Sequence, residues 1–198
     1  FLLGLILAFV GAVQLQTFGA TIYVADLVGV AMVRDMGALI TGIVMAGRSG
    51  AAFAAQLGSM KVTQETDALT TMAISPMEFL VVPRVLALCL MMPLLTLYGD
   101  AMGVLGGGFV GLTMLDLSAM EYLRQTSTAV SLTDVAGGVL KGTVYGILIA
   151  ISGCLRGMQS GKSSSAVGDA ATSAVVTGIV SIIIACGMFA FVFYTLGI

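Results

Sequence analysis

The 198-residue chain is 59% hydrophobic and only 9% charged, with a mean hydropathy of +1.10, far above a soluble domain. A net charge of −2 with no cluster among its eight basic residues argues against a nucleic-acid partner, and the absence of histidine removes the commonest general base and metal ligand. What remains is an integral membrane protein.

In chain order, Phe1 to Ala20 is apolar apart from Gln14, Gln16 and Thr17, and is about long enough to cross a bilayer once. It opens on Phe1 inside an apolar run, so a preceding segment is expected. After a polar turn from Thr21 to Asp26, Leu27 to Met45 reads as a second span, interrupted only by Arg34-Asp35 and Thr41. The stretch from Met45 to Arg84 follows, the longest polar interruption between oily segments. Within it Thr63 is placed to cap a short helix whose first turn carries Glu65 and Asp67, acids suited to the positive end of the helix dipole. That helix must end by Ile74, because Ser75-Pro76-Met77-Glu78 has the form of a new start: a serine cap, proline at the first helical position and a closing glutamate. The spacing leaves Glu65, Asp67 and Thr70 exposed and turns Leu69, Met72 and Ala73 back toward the membrane domain. Such a helix is a handle.

Phe79 to Leu115 is too long for one perpendicular span and contains Pro83, Pro93 and Asp100, so a kinked, overlong helix is expected. Ser118 and Glu121 open a short amphipathic helix with Met120, Tyr122 and Leu123, placed at the membrane surface. Ser131 and Asp134 cap a fourth span to about Cys154, Leu155 to Gly168 is a small polar loop, and Ala174 to Leu196 is a fifth span. The expected fold class is an all-α integral membrane protein with about five transmembrane helices in one domain over residues 1–198. A short cytoplasmic helix lies between the second and third spans, and an interfacial one between the third and fourth. There is no β pattern and no internal repeat.

The loops set the orientation. With the 48–84 and 155–168 connections on the cytoplasmic side, Arg48, Lys61, Arg84, Arg156 and Lys162 lie inside against Arg124 and Lys141 outside, as the positive-inside rule prefers. Lys141 then reads as a snorkelling residue near an outer helix end.

Glycines recur four apart, at Gly103, Gly107 and Gly111 and again at Gly138, Gly142 and Gly146, which puts each set on one helix face where backbones can approach closely. Each ionisable group inside a span costs a few kcal/mol in hydrocarbon unless it is paired or wetted. Arg34, Asp35 and Asp100 are such groups, read either as an ion pair that fixes helix register or as the wall of a polar cavity in the outer half of the membrane. The cavity reading adds Leu15, Val30 and Leu39 from the first two spans, which carry the least glycine repetition. The methionines, 13 of them, spread through every span as packing material.

No catalytic set emerges. Gly161-Lys162-Ser163 resembles the end of a P-loop, yet Arg156 stands where its first glycine is required and no strand precedes it. Without histidine no Ser/His/Asp or Cys/His set can form, no acidic cluster has metal-ligand spacing, and Cys89, Cys154 and Cys186 lie in or beside apolar runs as small fillers. The residues read as a non-enzymatic membrane subunit with no metal and no bound cofactor.

One stretch goes further. AGRSGAAFAAQLGSMKVTQETDALTTMAISPMEFLVVPRVLA resembles the signature region of the MlaE/YrbE permease family, the membrane subunits of ABC transporters that move lipids with MCE-domain partners. VRDMGALITGIVMAGR resembles that family's Arg-acid-Gly segment, and SAVGDAATSAVV its second cytoplasmic loop. Asp169 departs from the family pattern where a basic residue is expected, and Gln56 where an acid is common, so charge contacts there are not carried over. The resemblance implies a homodimer of five-span subunits in the bacterial inner membrane, lacking here the family's N-terminal interfacial helix. It also implies cytoplasmic ATPase subunits holding ATP and Mg, and an MCE-domain lipid-binding protein outside. ATPase contacts are then expected at Arg48, Glu65, Asp67, Leu69, Met72 and Pro76, with phospholipid or another hydrophobic lipid as substrate. The alternative is an ion-coupled secondary transporter of a small hydrophobic solute using Asp35 and Asp100, although that class usually shows repeat symmetry.

Overall fold

The computed structural model describes residues 1–17, 19–115 and 117–197; Phe18, inside the first expected span, lies outside them. Among the described residues there are seven helices and no strand: α1 (Leu2–Gln16), α2 (Tyr23–Val62), α3 (Glu65–Thr71), α4 (Met77–Met114), α5 (Ala119–Ala129), α6 (Leu132–Met158) and α7 (Ser164–Leu196). Helices α2, α4, α6 and α7 are long and apolar enough to cross a membrane, and α1 is a shorter apolar helix. The protein is an all-α membrane protein.

The boundaries shift where local signals compete. Helix α2 runs 40 residues, about 60 Å at helical rise and twice a hydrocarbon core, so the polar connection expected from Met45 begins only after Val62. Ala51 to Val62 is rich in alanine, its single glycine, Gly58, does not stop it, and the chain turns away only where Gln64 becomes left-handed at φ 62°. Two π-helical turns interrupt α2, at Met32–Met36 and Ala46–Gly50, and a third, Met77–Val81, opens α4. Each inserts a residue into the helical repeat and re-aims the side chains around it.

The caps follow the sequence unevenly. At the start of α6 the exchange is complete: Ser131 donates its backbone N–H (3.1 Å) and hydroxyl (2.6 Å) to Asp134 Oδ2, and accepts from the Asp134 N–H at 3.2 Å. Ser118 accepts from the Glu121 N–H at the start of α5. Ser75 makes no side-chain cap; Pro76 (φ −59°) begins the turn, and the Ser75 carbonyl accepts from Phe79 N–H at 3.1 Å. The loop expected over 155–168 contracts to 159–163, because Ser163 accepts from the Ala166 N–H and starts α7 early. The P-loop-like residues therefore form a helix–helix turn.

The chain groups into two compact units. The first comprises Phe1–Ala38 and Leu94–Leu140; its core is Ala8, Ala12, Val24, Val28, Met32 and Val110, with Leu5, Leu7, Leu15 and Leu115 packed around it. The second comprises Leu39–Pro93 and Lys141–Ile198. There the end of α2 lies against α6 and α7 through small residues. A methyl added at Gly153 would come within 2.7 Å of the Gly50 carbonyl oxygen, and one at Gly157 within 2.8 Å of Leu57 and 2.9 Å of the Ala54 carbonyl. Backbones that close require glycine.

Candidate functional site

Helix α3 is a short helix most of whose residues are exposed. Glu65, Asp67 and Thr70 are exposed as expected, and the two acids sit in the first turn where the dipole favours them. Its packing differs from expectation. Thr66 is the buried residue, Leu69 is half-buried, and Met72 (68% exposed) and Ala73 face outward, because the helix ends at Thr71 and Ala73 adopts a left-handed φ of 59°. Thr63 is not the cap: its hydroxyl lies 3.2 Å from the Ser59 carbonyl and 3.1 Å from Glu65 Oε1, donating where a cap would accept, while Gln64 holds the cap position. Both ends of α3 thus turn through left-handed residues that are not glycine.

Of the other expected contact residues, Pro76 is half-buried at the start of α4, and Arg48 is exposed on the second π turn of α2. From Arg48 to the end of α2 is about 20 Å of helix, so Arg48 is not brought beside α3. The cation at the base of α3 is Lys61, which the sequence reading counted only for its charge. Its ammonium donates to the Met158 and Ser160 carbonyls, 2.8 Å each, where α6 ends. No local pattern predicts those partners, 97 and 99 residues onward.

The first unit holds a polar set. Arg34 Nη1 lies 3.5 Å from Asp134 Oδ1, so the residue that caps α6 with one oxygen pairs with α2 through the other, a partner not anticipated beside Asp35. Arg34 and Asp35 both occupy the π turn and are half-buried. Gln125 of α5 donates to Asp26 Oδ2 at 2.9 Å, whereas Asp26 Oδ1 is buried without a hydrogen-bond partner. Asp100 is 5% exposed, its Oδ1 likewise has no hydrogen-bond partner, and that oxygen occupies the space a side chain at Gly37 would need. Leu15 and Val30 are half-buried in this unit; Leu39, also half-buried, belongs to the second. None of these six lines the apolar groove of 370 Å³ in the first unit, which is walled by Phe1, Val104, Leu105, Phe109, Leu112 and Leu123.

Lys141 corrects the sequence reading outright. It is 1% exposed, with its ammonium 4.6 Å from the centre of the Phe193 ring in an aromatic set that continues through Phe189 to Tyr145. A cation held on an aromatic face has no need to snorkel.

The repeated glycines take specific neighbours. Gly103 faces Met32, Gly107 faces Val28 and the Tyr122 hydroxyl, Gly111 faces the Tyr122 ring, and Gly138 faces the Val33 carbonyl. In the second unit Gly146 faces Met92 and the Leu88 carbonyl, and Gly142 is buried. Among the described residues no group of three or more Cys, Asp or Glu side chains comes together as a metal site would require.

The family profile described as Permease MlaE matches residues 1–192. A probable ABC transporter permease protein of Rickettsia typhi is 40% identical over 184 residues, 93% of this chain and 71% of that protein. A protein of the same description from Synechocystis is 35% identical over 167 residues, covering 84% of this chain and 64% of its own length. The chloroplastic protein TRIGALACTOSYLDIACYLGLYCEROL 1 of Arabidopsis thaliana is 33% identical over 162 residues, 82% of this chain and 46% of that protein.

Proposed function

Since the chain belongs to the MlaE permease family of ABC transporters, we propose that it is the membrane subunit through which a separate ATPase drives lipid between the membrane and an MCE-domain partner. A permease of this class works with ATPase subunits, and ATP and Mg are assigned to them. The observation that carries the reading is α3, an acid-first helix with Glu65, Asp67 and Thr70 exposed, joined to the long apolar helices α2 and α4. A soluble engine can grip such a helix from one side and displace two spans at once.

The lipid substrate is supported by the galactolipid in the name of the Arabidopsis relative and by the broad exposed apolar faces of α4 and α7. We place the head group of the lipid near Arg34, Asp35 and Asp100 and its chains along Leu15, Val30 and Leu39, at the interface of a homodimer in a bacterial inner membrane. Intramembrane charge of this kind is costly unless it is paired, wetted or used. The glycine faces of α4 and α6 then form the packed body of each subunit.

The test is the double substitution Glu65→Lys with Asp67→Lys in the assembled transporter. The expected result is a folded complex whose ATP hydrolysis no longer moves lipid. Normal lipid transport per ATP in the double variant would overturn the assignment.

A further inference from the structure

The base of α3 is tied to a distant corner of its own unit by one side chain. Lys61 is the penultimate residue of α2, four residues before α3 begins. Its ammonium donates at 2.8 Å to the carbonyls of Met158, the last residue of α6, and of Ser160 in the turn to α7. Carbonyls at a helix C-terminus have no partner within their own helix and carry the negative end of its dipole, so a cation there makes bonds stronger than neutral ones. The surroundings are closely packed as well. Gly58 leaves room for Ser160 Oγ and Val167, which a methyl there would approach to 3.1 and 3.2 Å, and Gly157 lets Ala54 and Leu57 close on α6. Leu57 is fully covered and Gly58 is buried.

By contrast α3 has little holding of its own. Its buried residue is Thr66, and the next turn faces outward through Met72 and Ala73. A force applied to its exposed acids reaches the long helices through the end of α2 on one side and the start of α4 on the other. We infer that Lys61 is the positioning residue that makes the end of α2, the end of α6 and the start of α7 move as one block when α3 is displaced. This rests on α3 being the ATPase contact. The block needs the cation because apolar contacts alone permit sliding along small-residue faces, whereas two charge-assisted bonds to fixed carbonyls do not.

The experiment uses the complete transporter with its ATPase, reconstituted in lipid vesicles. Lys61→Met keeps the length and apolar stem but removes the donors. Expected are assembly and basal ATP hydrolysis near the unsubstituted protein, with lipid moved per ATP reduced by about tenfold, a usual size for coupling between two sites. Lys61→Arg retains a donor and should recover most of the loss. Unchanged transport per ATP in Lys61→Met overturns the inference, as does a variant whose only defect is a lower Tm.

A second measurement does not depend on that variant. With Cys89, Cys154 and Cys186 replaced, spin labels at Ser59→Cys and Lys162→Cys, both exposed, report the separation of the end of α2 from the α6–α7 turn. In protein with Lys61 intact, the separation should be the same with and without trapped nucleotide, and a change overturns the tie. The two readings fail separately: if the Glu65 and Asp67 substitutions uncouple the complex but those at Lys61 do not, only the tie falls.

Discussion

Lys141 and Tyr122 show how single side chains settle into a molecule with so few polar groups. The Lys141 ammonium lies 4.6 Å from the Phe193 ring centre in a fully covered position, where an aromatic face is worth about 1–2 kcal/mol to a desolvated cation. A double-mutant cycle of Lys141→Met and Phe193→Leu, read by thermal unfolding in detergent, should therefore return a coupling of about 1 kcal/mol. Zero coupling would mean that Lys141 is held by its other neighbours. Tyr122, on α5, donates its hydroxyl to the Val104 carbonyl at 3.0 Å and is 3% exposed. Burial pushes its phenol above the usual 10, with the Thr126 hydroxyl pulling weakly the other way. The folded state then holds the proton more tightly than the unfolded chain, so this group's contribution is whole below pH 10 and declines as pH rises through the folded value. Tyr122→Phe should cost about 1 kcal/mol at neutral pH, through the lost bond from hydroxyl to carbonyl, and should flatten the alkaline decline. A decline as steep in the variant as in the parent would assign it to other groups.

Among the elements, the start of α6 and the end of α3 carry opposite kinds of local energy. Asp134 both completes the cap with Ser131 and pairs with Arg34, so removing it should cost more than removing Ser131. Ser131→Ala should lose about 1 kcal/mol, and Asp134→Ala visibly more, because Arg34 then loses a charged partner beside the membrane interior. Equal losses would mean that the 3.5 Å pair contributes nothing. Helix α3 instead stores strain, since Gln64 and Ala73 hold φ of 62° and 59° without being glycine. Ala73→Gly should raise stability by about 1 kcal/mol, the approximate cost of a side chain in the left-handed region. A neutral or destabilising result would show that the turn is relaxed. The sequence made the helix starts at Ser118 and Ser131 legible because their partners lie three residues away. It misassigned Thr63 because two of its acceptors, the Ser59 and Met60 carbonyls, lie behind it in α2, a choice that depends on how far α2 runs.

For the whole molecule, hydropathy made the membrane class and the long helices legible, since twenty apolar residues in a row admit few other readings. What it could not reveal depends on distant residues or on register. Lys141 reads the same whether it snorkels or lies under Phe193, 52 positions away; the partners of Lys61 lie beyond any local window; π turns carry no sequence mark; and Asp100 meets Gly37 only through packing. The units bring out one further global pattern. The first holds six acids and two arginines (Arg34, Arg124), whereas the second holds six of the eight basic residues and four acids. With Lys61 and Arg84 flanking one turn and Arg156 and Lys162 at the other, the positive-inside rule predicts that residues 63–76 and 159–163 face the cytoplasm. Helix α4 separates α3 from α5, and α6 separates α5 from the 159–163 turn, so if each of the two crosses once, α5 must lie outside. In a chain with its three cysteines replaced, single cysteines at Thr70, Lys162 and Ser127 test this, all three being exposed. A membrane-impermeant maleimide added to intact bacteria should label Ser127→Cys alone, and inverted vesicles should reverse the pattern. Labelling of Thr70→Cys and Lys162→Cys from outside would invert the topology and remove α3 from any cytoplasmic ATPase, whereas labelling of Ser127→Cys and Lys162→Cys from the same side would show that α6 does not cross.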